Sequence, residues 1–140
     1  MTVSTVPHLN FRGDARAALE LYHSVFGGAV TVVTYRDAGG SDPAEADRVM
    51  WGQVAADNGF RVMAYDVPAR LPYAPGENPF FVSVRGDGPA EITGFWETLA
   101  EGATVLQPLG PAPWAPLYGM LTDRFGVTWV LDVPSGYAGS

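Results

Sequence analysis

The second half of the chain repeats the first, and this repeat constrains the fold more than any other feature of the sequence. Phe11-Arg12-Gly13-Asp14 returns 73 residues later as Val84-Arg85-Gly86-Asp87. Three further anchors, Gly52, Gly59 and Asp66-Val67, return at shifts of 66 or 67 residues as Gly119, Gly126 and Asp132-Val133. Two copies of about 70 residues indicate one domain with internal pseudo-symmetry. We therefore expect the two copies to face each other across a cavity.

Hydrophobic periodicity predicts the order strand, helix and then three strands in each copy. In the first copy we predict strands at 6–11, 29–35, 49–55 and 60–66, with a helix that is capped by Asp14 and ended by Gly27. In the second copy we predict strands at 80–84, 104–109, 117–122 and 127–132, with a helix between Pro89 and Gly102. Trp114 is predicted to lie in a Pro- and Gly-rich loop.

The predicted fold class is α+β, with two βαβββ modules that form a curved mixed sheet and carry their helices on the outer face. We expect a single domain over residues 1–140, with module one at about 4–67, a Pro-rich connector at 68–79 and module two at 80–134. Each helix has an apolar stripe to pack behind its own strands. The two stripes are Ala18, Leu21, Tyr22 and Val25, and Ile92, Phe95, Trp96 and Leu99.

Composition excludes several classes of function. Without cysteine there are no disulfides, thiolate nucleophiles or Cys-based metal sites, and without lysine there is no Schiff base or Walker-type phosphate loop. A net charge of −7 with no basic cluster argues against nucleic-acid binding. The sequence shows neither a membrane-spanning run nor a signal peptide, so we expect a cytoplasmic protein without membrane partners.

Two regions of the sequence, residues 7–28 and residues 118–129, resemble a known family. Pro7-His8-Leu9-Asn10-Phe11, Ala17-Ala18-Leu19-Glu20-Leu21-Tyr22 and Val25-Phe26-Gly27-Gly28 are similar to the opening of the PhnB-like proteins. Tyr118-Gly119 and Asp123-Arg124-Phe125-Gly126-Val127-Thr128-Trp129 are similar to their closing signature. That family belongs to the vicinal oxygen chelate superfamily, with glyoxalase I, bleomycin-resistance proteins and extradiol dioxygenases. The resemblance covers nearly the whole chain and implies paired βαβββ modules, usually in a homodimer.

The resemblance also implies metal-ligand positions on the first and last strands of the modules, and this sequence departs from them. His8 matches the first-strand position, its counterpart by the repeat is Phe81, and the last-strand positions hold Met63 and Val130. The His-Ala-Glu-Leu that PhnB-like proteins often carry on the third strand is here Trp51-Gly52-Gln53-Val54. A catalytic divalent site needs about three protein ligands. We therefore predict no metal and no cofactor.

Strand alternation predicts which side chains line the cavity, because Leu9 and Phe11 should face the helix and leave His8 pointing the other way. The same argument, applied to all strands, gives a mostly aromatic and apolar set with a few polar tips, as small-molecule pockets have. Trp114 is added as a candidate lid or dimer contact. The predicted lining is His8, Asn10, Trp51, Gln53, Arg61, Met63, Tyr65, Phe81, Ser83, Trp114, Tyr118, Met120 and Thr128.

Three functions stay open at this point. The first is a metal-independent protein that binds a small organic molecule, as in the drug-sequestering branch of the superfamily. The second is a glyoxalase-like or PhnB-like enzyme of the lyase, isomerase or dioxygenase class, with His8 or Arg61 as weak catalytic candidates. The third is an interaction role in a dimer whose cavity is packed shut. His8 itself fits a pocket role and a structural hydrogen bond equally well. We expect a homodimer, because a partner subunit commonly completes open sheet edges.

Overall fold

The computed structural model describes residues 3–135 of the chain. They fall into two compact units that divide between Gly76 and Glu77. Within the described range each unit contains one four-stranded sheet and one helix. No helix in this range is long and apolar enough to cross a membrane. The single-domain organisation with a connector at 68–79 stays a prediction.

The first unit has the predicted βαβββ order. Its elements are β1 (His8–Phe11), α1 (Ala15–Phe26), β2 (Ala29–Thr34), β3 (Val49–Ala55) and β4 (Arg61–Asp66). The strands lie in the order β1-β4-β3-β2, with β1 parallel to β4 and the other neighbours antiparallel. Strands β2, β3 and β4 each lie beside the next strand in the chain. Strands β1 and β2, which are connected through helix α1, lie at opposite edges of the sheet.

The second unit repeats this topology and confirms the predicted α+β fold of two such modules. Its elements are β5 (Val82–Arg85), α2 (Pro89–Leu99), β6 (Thr104–Ala112), β7 (Ala115–Thr122) and β8 (Thr128–Val133). The strands lie in the order β5-β8-β7-β6, and β5 and β8 are parallel.

Helix α1 covers one face of its sheet, as its apolar stripe predicts. All four stripe residues are buried, and so are Leu9 and Phe11 of β1, which are 1% and 3% exposed. Gly52 of β3 lies directly under Leu19, where a Cβ would collide with the leucine side chain. The face of β1 that carries Leu9 is therefore the helix side, and the alternate residues lie on the other side.

The start of α1 differs from the prediction in one respect. Asp14 is the N-cap residue, but its side chain makes no capping hydrogen bond. The carboxylate of Asp66, at the end of β4, accepts hydrogen bonds from the backbone N–H of Gly13 (2.6 Å) and Ala15 (3.1 Å) instead. A carboxylate at a helix N-terminus satisfies otherwise unpaired N–H groups and complements the helix dipole.

Helix α2 covers its sheet less completely than α1. Ile92 and Leu99 of the predicted stripe are buried, whereas Phe95 and Trp96 are half-buried. The ring of Trp96 lies over Gly119 of β7. The helix ends at Leu99 rather than at the predicted Gly102, which lies in the following turn with φ of +74°.

Trp114 lies in a turn as predicted, but the loop around it is much shorter than predicted. Strand β6 continues to Ala112 and β7 begins at Ala115, so Pro113 and Trp114 form the tip of a long hairpin. Pro108 and Pro111 lie in this extension of β6, where prolines would usually end a strand. Both prolines are tolerated because β6 is an edge strand and they fall at irregular positions of its ladder, where a missing N–H breaks no regular bond.

Alignment of the two copies on their Arg-Gly-Asp motifs gives the wrong counterpart for His8. In the first sheet His8 pairs with Met63, and in the second Ser83 pairs with Val130. Because Met63 and Val130 occupy equivalent places on the last strands, Ser83 is the structural counterpart of His8 and Phe81 lies just before β5. Arg12 follows β1, whereas Arg85 is the last residue of β5, so the motif is displaced by two residues relative to the sheet.

Candidate functional site

One face of the first sheet is not covered by α1, and we call it the first helix-free face. Burial alternates along β3 and β4 so that Gly52, Val54, Val62 and Ala64 are buried and the residues between them are not. The residues between them therefore point away from the helix. The first helix-free face carries His8, Asn10, Trp51, Gln53, Arg61, Met63 and Tyr65.

Strand register sets the layout of this face. His8 pairs with Met63, which pairs on its other side with Gln53, so these three side chains form a row across three strands. Neighbouring strands are about 4.8 Å apart, which separates the backbones of His8 and Gln53 by about 10 Å. Asn10 pairs with Tyr65 in the next row. Arg61 is exposed at the far end of β4.

His8 is held from two sides. Its Nδ1 lies 3.1 Å from Oδ1 of Asn10, and its ring meets the ring of Tyr65 edge-on, with centroids 5.3 Å apart and planes at 69°. With Oδ1 of Asn10 as the acceptor, the imidazole donates from Nδ1. In the neutral imidazole Nε2 is then the acceptor, which allows it to receive a hydrogen bond or a proton.

Two tyrosines that the sequence argument did not select border the row of Asn10 and Tyr65. The hydroxyl of Tyr73 donates to the backbone carbonyl of Asn10 at 3.3 Å, and that of Tyr35 donates to the carbonyl of Asp66 at 2.6 Å. Burial, followed by the nearby charge of Asp14, raises the pKa of Tyr73 above its ordinary value. Both hydroxyls are therefore donors at neutral pH. Tyr73 could have been selected from the sequence, because it is an aromatic residue among the prolines of the connector.

The second sheet also has a face away from its helix, the second helix-free face. Since Gly119 lies under Trp96 of α2, its neighbours Tyr118 and Met120 point away from the helix. Thr128 lies on the same side but is buried, and its hydroxyl is 2.9 Å from that of Thr122. Ser83 is exposed on β5.

The predicted aromatics of the second unit are arranged around the hairpin tip and the start of β5. Trp114 is 61% exposed and meets Tyr118 edge-on, with ring centroids 5.2 Å apart. The hydroxyl of Ser135 donates to the carbonyl of Trp114 at 2.8 Å. Phe81 is exposed and precedes β5. A ligand-lining role for these residues, and for those of the first face, stays a prediction.

An ion pair on the second helix-free face was missed by the sequence argument. Nε and Nη2 of Arg85 each donate to one carboxylate oxygen of Asp132, both at 3.2 Å. The repeat equates Asp132 with Asp66, which lies on the helix side of its sheet and accepts hydrogen bonds from the start of α1. Strand register instead equates Asp132 with Tyr65, so Asp132 lies on the helix-free side of its sheet.

Comparison with known proteins identifies the family. The model of the Glyoxalase/Bleomycin resistance protein/Dioxygenase superfamily matches residues 5–131. The chain belongs to this superfamily. Protein PA1353 from Pseudomonas aeruginosa is 34% identical over 95% of this chain and 98% of its own, with a TM-score of 0.86. No protein in the comparison with curated sequences matches.

Two further solved structures share the fold at lower identity. A PhnB protein from Bacillus cereus, described as a putative 3-demethylubiquinone-9 3-methyltransferase, is 24% identical over 94% of this chain and 99% of its own, with a TM-score of 0.71. TioX from Micromonospora sp. ML1 is 19% identical over 94% of this chain and 99% of its own, with a TM-score of 0.58. The expected PhnB-like fold is thus confirmed.

The side chains present do not fit the superfamily's metal site. The four equivalent positions on the first and last strands hold His8, Ser83, Met63 and Val130, which offer one imidazole and no carboxylate. Within residues 3–135 no three His, Asp or Glu side chains are grouped closely enough to hold a metal ion. Zinc and other catalytic divalent ions require about three such donors.

Proposed function

We propose that this protein binds a small organic molecule on the first helix-free face without a metal. The observation that carries the proposal is the grouping of His8, Asn10, Gln53 and Tyr65 on a sheet face that no helix of its unit covers. Side chains with aromatic surface and a few oriented polar tips are typical of small-molecule sites.

The side chains of this face also indicate the class of ligand. Among its described members Arg61 is the one charged side chain, and the carboxylate of Asp66 lies on the helix side of the sheet. Arg61 can pair with an anionic substituent, and Nε2 of His8 can accept a hydrogen bond. With His8 and Gln53 about 10 Å apart, the face suits a flat molecule of one or two rings with polar groups at both ends.

Binding is tested on protein treated with a chelator. We expect aromatic acids and other planar compounds of this size to raise the thermal unfolding midpoint, because a ligand at 100 times its Kd adds about 2.7 kcal/mol to the unfolding free energy. His8→Ala should weaken binding measured by titration calorimetry, whereas His23→Ala, at an exposed position of α1, should not. Binding that appears only after metal is restored would contradict the proposal.

A second candidate function is enzymatic, and the contact between His8 and Asn10 favours it. That contact leaves Nε2 of His8 as a general base, and Arg61 could stabilise a developing negative charge. The class would be lyase, isomerase or dioxygenase. Turnover of a bound compound that is lost in His8→Ala, but retained in His23→Ala, would establish this function. Turnover unchanged in His8→Ala would exclude the acid–base role.

We further propose that the protein is a cytoplasmic homodimer without nucleic-acid partners. Each sheet ends in edge strands, β1 and β2 in the first and β5 and β6 in the second. Edge strands expose backbone groups that a second subunit commonly covers. The net charge of −7 opposes binding to phosphate backbones.

A further inference from the structure

Three backbone carbonyls of residues 67–73, which we call the strap, accept hydrogen bonds from one guanidinium. Nε of Arg12 donates to the carbonyl of Val67 at 3.3 Å, and Nη2 donates to that of Pro68 at 3.2 Å and also to that of Leu71. Arginine presents its donors in a planar fork, so one side chain satisfies three carbonyls only while the strap keeps its folded shape.

The strap is connected to the candidate site through Tyr73. The ring of Tyr73 lies 5.3 Å from Cζ of Arg12, and its hydroxyl donates to the backbone carbonyl of Asn10. The side chain of Asn10 in turn accepts the hydrogen bond from Nδ1 of His8. A continuous series of contacts therefore runs from Arg12 through Tyr73 and Asn10 to His8.

Little apolar burial holds the strap in place. Val67 and Pro68 are buried, but residues 69–72 are exposed, with Leu71 37% exposed. The backbone N–H of Ala69 donates to Oε1 of Glu45 at 2.6 Å, which is a second polar attachment. Segments with few buried apolar contacts open at low free energy. Pro68 and Pro72 restrict the backbone between the attachments, which favours movement of the strap as one piece.

We propose that Arg12 is a positioning residue of the site: its guanidinium clasps the strap, and the docked strap orients Asn10 and His8. We call the three hydrogen bonds from Arg12 to the strap the clasp. When they break, Tyr73 moves away from Asn10, and the hydrogen bond between Asn10 and Nδ1 of His8, which sets the His8 tautomer, weakens. The proposal rests on the proposed function only in treating His8 as part of a ligand site, because the clasp itself requires no ligand.

Limited trypsin digestion of the full chain tests the clasp, since Arg70 is exposed in the middle of the strap. In Arg12→Gln we expect cleavage after Arg70, seen as fragments 1–70 and 71–140, to quicken at least about tenfold, because three hydrogen bonds are lost. Cleavage after Arg61 in β4 is the internal control, since general unfolding would quicken both. Arg16→Gln, an exposed arginine of α1, should leave both rates unchanged.

The ring nitrogen shifts of His8, measured by NMR without ligand, test the connection to the site. In Arg12→Gln and Tyr73→Phe we expect these shifts to move towards the tautomer mixture of free imidazole, while those of His23 stay constant. A strap that only stabilises the fold would not change the His8 tautomer.

The outcomes separate the two proposals. An unchanged ratio of Arg70 to Arg61 cleavage in Arg12→Gln would overturn the clasp, and unchanged His8 shifts with faster Arg70 cleavage would overturn its positioning role. Changes in both readouts support the inference. Failure of every compound to bind would count against the proposed function and would leave both readouts as measured, because neither uses a ligand.

Discussion

At the scale of single residues, two aspartates that the repeat equates have different surroundings. Asp66 is 1% exposed and lies on the helix side of its sheet, where its carboxylate accepts backbone hydrogen bonds from Gly13, Ala15 and Val49. Asp132 lies on the helix-free side of its sheet and pairs with Arg85. Side-chain direction alternates along a strand, so a one-residue error in alignment exchanges the two faces.

Asp66→Asn should therefore destabilise the first unit. Asparagine keeps one oxygen for Gly13 and Ala15, but its NH2 group would meet the donor N–H of Val49, which Oδ2 accepts at 2.9 Å in the native protein. We expect a loss of about 2 kcal/mol in unfolding free energy, measured by denaturant titration. Asp57→Asn, at an exposed position of the hairpin between β3 and β4, is the control and should have little effect.

Tyr35 gives the stability a dependence on alkaline pH. Burial, followed by nearby Tyr65 and Glu45, raises the pKa of the Tyr35 phenol in the folded state. The unfolded chain then ionises first, so the contribution is complete below the unfolded pKa of about 10 and is lost as pH rises through the higher folded value. We expect the unfolding midpoint of the wild type to fall more steeply than that of Tyr35→Phe above this pH. Parallel curves would show that Tyr35 does not contribute.

At the scale of elements, each helix approaches its sheet at a glycine. Gly52 lies under Leu19 of α1, and Gly119 lies under Trp96 of α2, so the two glycines are equivalent in the two modules. A Cβ at Gly119 would be 2.8 and 2.9 Å from two atoms of the Trp96 ring and 3.0 Å from Cα of Leu109. Glycine therefore recurs at these two positions because the gap between helix and sheet leaves no room for a larger side chain.

Gly119→Ala should destabilise the second unit by about 1–3 kcal/mol through overpacking, measured by denaturant unfolding. Gly94→Ala is the matched control, because Gly94 is in the interior of α2 and a Cβ there would contact nothing within 4 Å. Alanine at that position should stabilise the protein by up to about 1 kcal/mol. A Gly119→Ala protein as stable as the wild type would show that Trp96 moves aside freely.

At the scale of the whole molecule, the two modules share topology and differ in chemistry. The first helix-free face carries His8, Asn10 and Tyr65 where the second carries Ser83, Arg85 and Asp132 at equivalent positions. The two sheets therefore have the same strand register but different side chains on their helix-free faces. The proposal of ligand binding concerns the first face because that face carries an imidazole, an amide and a phenol together.

The proposed homodimer is tested by sedimentation velocity at micromolar concentration. We expect one species of twice the mass of the 14.9 kDa chain. Low and high salt should give the same result if apolar surface and strand edges, rather than ion pairs, hold the subunits together. A single species with the mass of the monomer would contradict the dimer.

Local sequence patterns were enough to predict the class of the fold and much of the first helix-free face. Periodicity located the helices and strands, and alternation from Leu9 and Phe11 placed His8 and Asn10 on the side away from the helix, because these signals depend on neighbours within a few residues. The residues around Gly52 and Gly119 also aligned correctly, since helix packing requires a small side chain at both places.

The contacts that join distant segments could not be predicted from the sequence and are seen first in the three-dimensional fold. Arg12 meets the strap 55 to 59 residues away, Asp66 reaches back to the start of α1, and Arg85 pairs with Asp132 across two strands. The register between parallel strands decides which residues of the two modules are equivalent. This register cannot be predicted from the local sequence pattern. The error at Phe81 and the omission of Tyr73 have this common cause: both depend on where separate segments meet in space.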